Sequence, residues 1–168
     1  MKKTRFISEV AVSVSLAVIC SFIRVWQMPQ GGSVALTMVP IFLVSLRCGA
    51  AAGMLSGAIY GTISLMLEGV VYHPMSILLD YILAFAALGI AGFFPKTSRG
   101  AVAGVISGAA VRFLSSTLSG AVLFASFAPV GQNPLIYSLG YQASYMIPET
   151  LISLVCVLYI LRKIRPVA

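Results

Sequence analysis

Three ionisable side chains interrupt long apolar stretches of this sequence: Asp80, Arg112 and Glu149. A charge is expensive inside a lipid bilayer, so a charged residue in such a stretch either pairs with another charge or serves a function. Arg112 can neutralise one of the two acids, and the sequence leaves open which one. The other carboxylate then predicts a cavity for a cationic or proton-donating small molecule. The alternative is that the three charges only pair with one another and hold the protein together.

Aromatic and hydrogen-bonding side chains gather on the same side of the membrane as the two acids. Tyrosine is common where a helix leaves the bilayer, but a cluster on one side only is less common. Aromatic faces together with a carboxylate suit a flat heteroaromatic ligand, which stacks on the rings and makes one charged contact. The residues that map to this outer side are Tyr72, Tyr81, Phe124, Phe127, Tyr137, Tyr141, Gln142 and Tyr145.

The sequence lacks the residue combinations of catalytic and metal sites. His73 is the only histidine, and Cys20, Cys48 and Cys156 have no paired spacing, so no metal site or disulfide is indicated. No serine, histidine and acid can be assembled at one depth, and no glycine-rich phosphate loop is present. We therefore expect a protein that is not an enzyme, binds no cofactor and does not itself hydrolyse ATP.

Membrane-spanning helices must position these side chains. Hydrophobic residues make up 60% of the chain and charged residues 9%, which is too few charges for a soluble domain, where about one quarter is typical. Apolar windows close to the ~20 residues of a bilayer crossing recur along the chain. We predict one all-α integral membrane domain over residues 1–168, a bundle of six transmembrane helices. The predicted spans are 7–26, 34–46, 49–67, 74–94, 100–127 and 142–161.

The positive charges give the orientation of the bundle. The formal net charge is +7, and all basic residues except Arg24 and Arg112 fall on one side if the amino terminus is cytoplasmic. This positive-inside pattern places both termini in the cytoplasm of a bacterial-type plasma membrane, surrounded by lipid. A nucleic-acid partner is therefore not indicated by the charge. The cytoplasmic residues are Lys2, Lys3, Arg5, Arg47, Lys96, Arg99, Arg162, Lys163 and Arg165.

Small residues spaced four apart mark faces on which membrane helices approach closely. The third and fifth spans carry strong glycine stripes of this kind. The first span has a weaker stripe at Ala11 and Ser15, which suits either internal packing or contact with another membrane subunit. No inverted repeat and no interrupted span is visible, which argues against an autonomous secondary transporter. The glycine stripes are Gly53, Gly57 and Gly61, and Gly100, Gly104 and Gly108.

A series of short motifs runs in order through nearly the whole chain. They are Pro29-Gln30-Gly31-Gly32-Ser33, Met38-Val39-Pro40-Ile41, Asp80-Tyr81 with Ala84-Phe85, Arg112-Phe113-Leu114-Ser115, Ser119-Gly120 and the stretch 137–149. Together they resemble the thiamine-specific substrate-binding subunit of energy-coupling factor transporters. The resemblance implies a membrane subunit that binds the vitamin from outside and then associates with a transmembrane coupling subunit and two cytoplasmic ATPases. It also implies that the first helix docks on the coupling subunit through Ala11 and Ser15.

The same resemblance implies a set of ligand contacts. Asp80 is expected to pair with the aminopyrimidine or the cationic part of thiamine. Arg112, Glu149, Gly31 and Gly32 are expected to surround the ligand-binding residues, with Glu149 as the partner of Arg112. The residues expected to stack on the ligand are Tyr81, Phe124 and Tyr137, and those expected to hydrogen-bond to it are Ser116 and Gln142.

Four of these positions depart from the family pattern. Where the family usually has glutamate, histidine, tryptophan and asparagine, this chain has Asp80, Ser116, Phe124 and Gln142. A missing hydrogen-bond partner costs about 1–3 kcal/mol, so the pocket either holds thiamine or is retuned for hydroxymethylpyrimidine or a pyridoxine-like vitamer. Two rival interpretations remain: a structural or assembly membrane protein without a ligand, and an ion-coupled carrier that works alone.

Overall fold

The computed structural model describes residues 3–29, 31–68, 73–129 and 131–164. In this part of the chain, five helices are long and apolar enough to cross a membrane, and a sixth, shorter apolar helix lies among them. The prediction of an all-α membrane bundle with six helices is confirmed. In chain order the helices are α1 (Lys3–Ser21), α2 (Met38–Cys48), α3 (Ala50–Glu68), α4 (Pro74–Phe93), α5 (Ser98–Leu123) and α6 (Pro134–Ile164).

The short helix α2 forms the centre of the bundle. Phe42, Met38 and Ile41 are fully buried and pack with Leu88 of α4 and Val105 of α5. Large apolar side chains of the surrounding helices instead point outward, where lipid solvates them as well as a protein interior would. The outward-facing residues include Val12, Ile19, Leu118, Val122, Leu151 and Val155. This central position explains why α2 is so apolar although it is short.

The glycine stripes of α3 and α5 pack inside the bundle. A side chain at Gly57 or Gly61 of α3 would collide with a backbone carbonyl of α4. A side chain at Gly104 of α5 would meet Ala91, which also belongs to α4. Only glycine allows backbones to approach this closely. On α1, Ser13 and Ala17 are buried, whereas Ala11 and Ser15 are exposed. The Ala11–Ser15 face is thus left uncovered by the rest of the described chain.

Helix boundaries differ from the prediction around the outer end of the bundle. The first helix ends at Ser21, and the following residues form a β-hairpin of β1 (Arg24–Gln27) and β2 (Ser33–Ala35), which the sequence analysis missed. Gly31 and Gly32 have φ angles of 95° and 88°, a backbone conformation that glycine adopts without strain. Gln30, Tyr72, Lys2 and Arg165, which appear in the motifs or side assignments above, lie outside the described residues.

Helices α5 and α6 also begin or end away from their predicted limits. α5 ends at Leu123 and is followed by a single 3₁₀ turn over Ala125–Phe127. α6 begins at Pro134, well before the predicted start at Gln142. Asn133 caps it, since its Oδ1 accepts a hydrogen bond of 2.9 Å from the backbone N–H of Leu135, and proline suits the first helical position. Hydropathy alone misses this outer part of α6 because its inward face is polar.

Helix α4 departs from regular α-helical winding in two places. It opens into a π-helical turn over Ile77–Ile82, returns to α-helix over Leu83–Ala86 and tightens to a 3₁₀ helix over Ala87–Phe93. The helix nevertheless continues without a break from Pro74 to Phe93, in agreement with the expectation that no span is interrupted. Composition cannot distinguish these windings, since they differ in hydrogen-bond pattern and not in apolar content. π-helical turns are frequent at functional sites, and this one contains Asp80 and Tyr81.

Candidate functional site

A cavity of about 350 Å³ lies among the outer halves of the helices, beneath the β-hairpin. Its volume is at the lower end of the range for small-molecule sites, about 300–1,000 Å³. Every residue for which the sequence predicted a place in or around the ligand site lines this cavity, whereas Ala11 and Ser15 lie elsewhere. Those lining residues are Gly31, Gly32, Asp80, Tyr81, Arg112, Ser116, Phe124, Tyr137, Gln142 and Glu149.

Arg112 pairs with Glu149 beneath the cavity. Its Nη1 lies 3.0 Å from Glu149 Oε2, and the side chains are 9% and 1% exposed. Thr37 donates a hydrogen bond of 3.0 Å to the other carboxylate oxygen, Oε1. Both acid oxygens therefore have partners, as a buried carboxylate requires. Arg112 therefore pairs with Glu149 and not with Asp80, which agrees with the expected pairing.

An aromatic pair lies against the same guanidinium group. The Arg112 Cζ atom is 4.4 Å from the centroid of the Phe85 ring, a distance suited to a cation–π contact. Tyr60 of α3 meets Phe85 edge to face, with ring centroids 4.7 Å apart and an interplanar angle of 80°. Thr37 and Tyr60 also line the cavity, although neither was predicted to do so from the sequence. A polar side chain inside an otherwise apolar span was the available signal for both.

Asp80 lies in the π-helical turn of α4 and faces the cavity. Ser119 of α5 donates a hydrogen bond of 2.6 Å to Asp80 Oδ2. Within the described residues, no basic side chain forms an ion pair with Asp80. Because Arg112 pairs with Glu149, Asp80 is left as a cavity carboxylate that forms no ion pair among the described residues.

Three tyrosines on α6 form one wall of the cavity. Tyr137, Tyr141 and Tyr145 follow one another at helical spacing, and adjacent ring centroids are 6.2 Å apart. Tyr141 donates a hydrogen bond of 2.8 Å to the carbonyl of Gly31, which joins the hairpin to α6. A Cβ atom at Gly32 would lie 2.7 Å from the Tyr145 ring, so only glycine fits there. The two glycines thus let the hairpin close down on the tyrosine wall.

Gln142 braces α6 against α5. Its Nε2 donates a hydrogen bond of 3.2 Å to the backbone carbonyl of Ser116, and its Oε1 accepts one from the Tyr145 hydroxyl. On the opposite side, Phe124 and Phe127 lie with ring centroids 6.0 Å apart. The cavity therefore combines flat apolar faces with a few fixed polar groups. That combination is typical of a small-molecule binding site.

Comparisons with known proteins point to one family. The family model described as thiamine transporter protein (Thia_YuaJ) matches residues 7–168. A protein of Bacillus subtilis named thiamine transporter ThiT is 39% identical over 169 residues, covering 90% of this chain and 88% of that protein. A protein of the same name from Lacticaseibacillus paracasei is 25% identical over 137 residues, covering 71% of this chain and 68% of its own.

A solved structure has the same fold. The structure of ThiT from Listeria monocytogenes matches this chain with a TM-score of 0.86, covering 97% of this chain and 96% of the other. The sequences are 20% identical in that comparison, so it bears on the fold alone. It agrees with the six-helix membrane bundle described above.

Proposed function

Because this chain belongs to the thiamine transporter protein family, as a multi-pass protein of the bacterial plasma membrane, we propose that it captures thiamine from outside in the cavity beneath the hairpin. The observation that carries the proposal is Asp80, a cavity carboxylate that forms no ion pair among the described residues. Thiamine carries a permanent thiazolium cation beside a flat aminopyrimidine. A carboxylate surrounded by aromatic faces suits both parts of such a ligand.

Each group of lining residues has a role in this proposal. Asp80 pairs with the cation or the amino group, and a hydrogen bond of that charged kind contributes about 1.5–3 kcal/mol. Tyr81, Phe124 and Tyr137 provide the faces on which the rings stack. Ser116 and Gln142 supply hydrogen bonds. The pair of Arg112 and Glu149 does not contact the ligand but holds the wall behind it.

The second part of the proposal concerns how the bound thiamine is taken up into the cell. The chain has no phosphate loop, so the energy comes from partners: a transmembrane coupling subunit and two ATPases. We assign the docking surface to the exposed stripe of Ala11 and Ser15 on α1. The Ser15 hydroxyl donates to the Ala11 carbonyl at 2.9 Å, so its polar group is satisfied within the helix. The surface left for the partner is therefore small and smooth, as close helix packing in a membrane requires.

Calorimetric titration of the detergent-solubilised chain tests the capture step. We expect thiamine to bind the unaltered protein with sub-micromolar affinity and to lose about tenfold to a hundredfold in affinity in Asp80→Asn. Glu9→Gln is the matched control, since it removes a carboxylate far from the cavity and should leave the affinity unchanged. Hydroxymethylpyrimidine and pyridoxine are titrated alongside. Tighter binding of either would keep the capture role and replace the substrate.

Uptake measurements separate the remaining interpretations. The chain is expressed in cells that lack thiamine uptake, with and without a coupling subunit and its ATPases. We expect cell-associated thiamine to accumulate only when the partners are present. Accumulation by the chain alone would indicate an ion-coupled carrier. Absence of binding to any of the three ligands, in a sample with a cooperative melt, would indicate a structural protein.

A further inference from the structure

The π-helical turn over Ile77–Ile82 is held by two serines of the neighbouring helix α5. Ser115 donates a hydrogen bond of 2.6 Å to the backbone carbonyl of Leu79, inside the turn. Ser119 donates a hydrogen bond of 2.6 Å to the carboxylate of Asp80, the next residue. The two serines are four residues apart, so they lie on one face of α5. They therefore contact consecutive residues of the same turn, one through the backbone and one through the side chain.

A donor from outside the helix matters at this place. A π-helical turn departs from the regular hydrogen-bond ladder, and the membrane interior offers no water to satisfy a backbone group that loses its partner. The Ser115 hydroxyl supplies such a donor. On the far side of α4, Gly61 of α3 approaches the Tyr81 carbonyl so closely that a side chain would collide with it. The turn is thus fixed between a glycine surface and a serine pair.

Ser119 also limits what Asp80 can do. Ser119 is fully buried, and it does not line the cavity. Its hydroxyl has one proton, which it gives to Oδ2 of Asp80. That bond fixes the rotation of the carboxylate, and it leaves Oδ1 to receive the ligand. A carboxylate that rotated freely would lose conformational entropy on binding, which lowers affinity.

We propose that Ser115 and Ser119 are positioning residues, which hold the π-helical turn and the Asp80 carboxylate in the geometry that binds the ligand. The inference rests on the proposed thiamine capture, but neither serine contacts the ligand itself. It predicts that ligand affinity depends on two hydroxyl groups outside the cavity. It also predicts that the Ser119 hydroxyl acts only through Asp80.

A double-mutant cycle tests the second statement. Ser119→Ala should weaken thiamine binding about tenfold, and Ser119→Cys, which keeps the volume but is a weak donor, should weaken it equally. In the Asp80→Asn background, Ser119→Ala should change affinity by less than about twofold, because the negative charge that Ser119 positions is already gone. Additive losses in the double variant would overturn the role of Ser119. The role of Ser119 would also be overturned if Ser119→Ala bound thiamine with the affinity of the unaltered protein.

Hydrogen–deuterium exchange without ligand tests the first statement. Ser115→Ala should speed exchange in the peptide over residues 77–82. The matched control is Ser45→Ala, because Ser45 also donates a hydrogen bond, of 2.8 Å, to a backbone carbonyl of α4, that of Gly89, and does not line the cavity. That control should leave exchange over 77–82 and thiamine affinity unchanged.

The two experiments separate the inference from the proposed function. If the unaltered protein binds no thiamine but Ser115→Ala still loosens the turn, thiamine capture fails and the structural role of the serine stands. If the unaltered protein binds thiamine and the serine variants change neither affinity nor exchange, the serines are not positioning residues and capture stands.

Discussion

The buried pair of Arg112 and Glu149 leads to a sharp stability prediction. Glu149→Gln keeps the shape of the side chain and its capacity to accept from Thr37 but removes the negative charge. Arg112, 9% exposed, then keeps its full positive charge and its contact with the Phe85 ring but has lost its ion-pair partner. Removing one partner of a buried pair costs about 3–5 kcal/mol, since the other charge stays buried and uncompensated.

The magnitude converts into a measurable temperature shift. For a chain of this size, 1 kcal/mol moves the melting temperature by about 2–4 °C, so Glu149→Gln should melt about 6–20 °C lower. The three cysteines Cys20, Cys48 and Cys156 are partly buried. A thiol-reactive fluorophore added to the detergent-solubilised protein therefore reports unfolding as they become accessible.

Two further variants make the prediction refutable. Glu9→Gln applies the same chemical change to the exposed pair with Arg5, where the N–O distance is 3.8 Å, and should shift the melt by no more than about 2 °C. Arg112→Gln combined with Glu149→Gln removes the stranded charge and should recover part of the loss. A melt of Glu149→Gln within about 2 °C of that of Glu9→Gln would refute the reasoning, and so would a double variant less stable than the single one.

Three other predictions concern packing, the hairpin and docking. Gly57→Ala forces a methyl group against a carbonyl of α4 and should lower stability by about 1–3 kcal/mol in the same melting assay, whereas Gly140→Ala, with open space around it, should not. Tyr141→Phe removes the hydrogen bond to Gly31 and should speed thiamine dissociation about twofold to tenfold, followed by the fluorescence of the single tryptophan, on β1. Ala11→Leu should leave thiamine binding intact and abolish uptake in cells that contain the coupling subunit; unchanged uptake would place docking elsewhere.

Much of the fold was predictable because a membrane imposes simple rules on composition. Apolar length was enough for the helices, and the distribution of basic residues predicts their orientation. The small-residue stripes indicated close packing, and α3 and α5 do meet α4 at Gly57 and Gly104. The cavity residues came from charge and motif together, since an unmatched acid among aromatic side chains is rare inside a bilayer.

The features that escaped prediction depend on hydrogen bonds between distant parts of the chain. The first strand of the hairpin was predicted as the end of the first span, because Val25 and Trp26 are apolar. In the structure both side chains are exposed. The π-helical turn has the composition of any α-helix, and its partner Ser115 lies on another helix. The choice of Arg112 between two acids depends on how α5 and α6 pack, which no local pattern records.

The changes of winding in α4 also have a consequence for rotational phase. A π-helical turn advances fewer degrees per residue than an α-helix, and a 3₁₀ helix advances more. The two deviations in α4 therefore have opposite signs and offset each other along its length. The outer half can turn Asp80 toward the cavity, while the inner half still presents Gly89 to Met54 and Gly92 to Ala50. Local rotation at the cavity is thus absorbed within one helix, and the contacts of its other half with α3 are preserved.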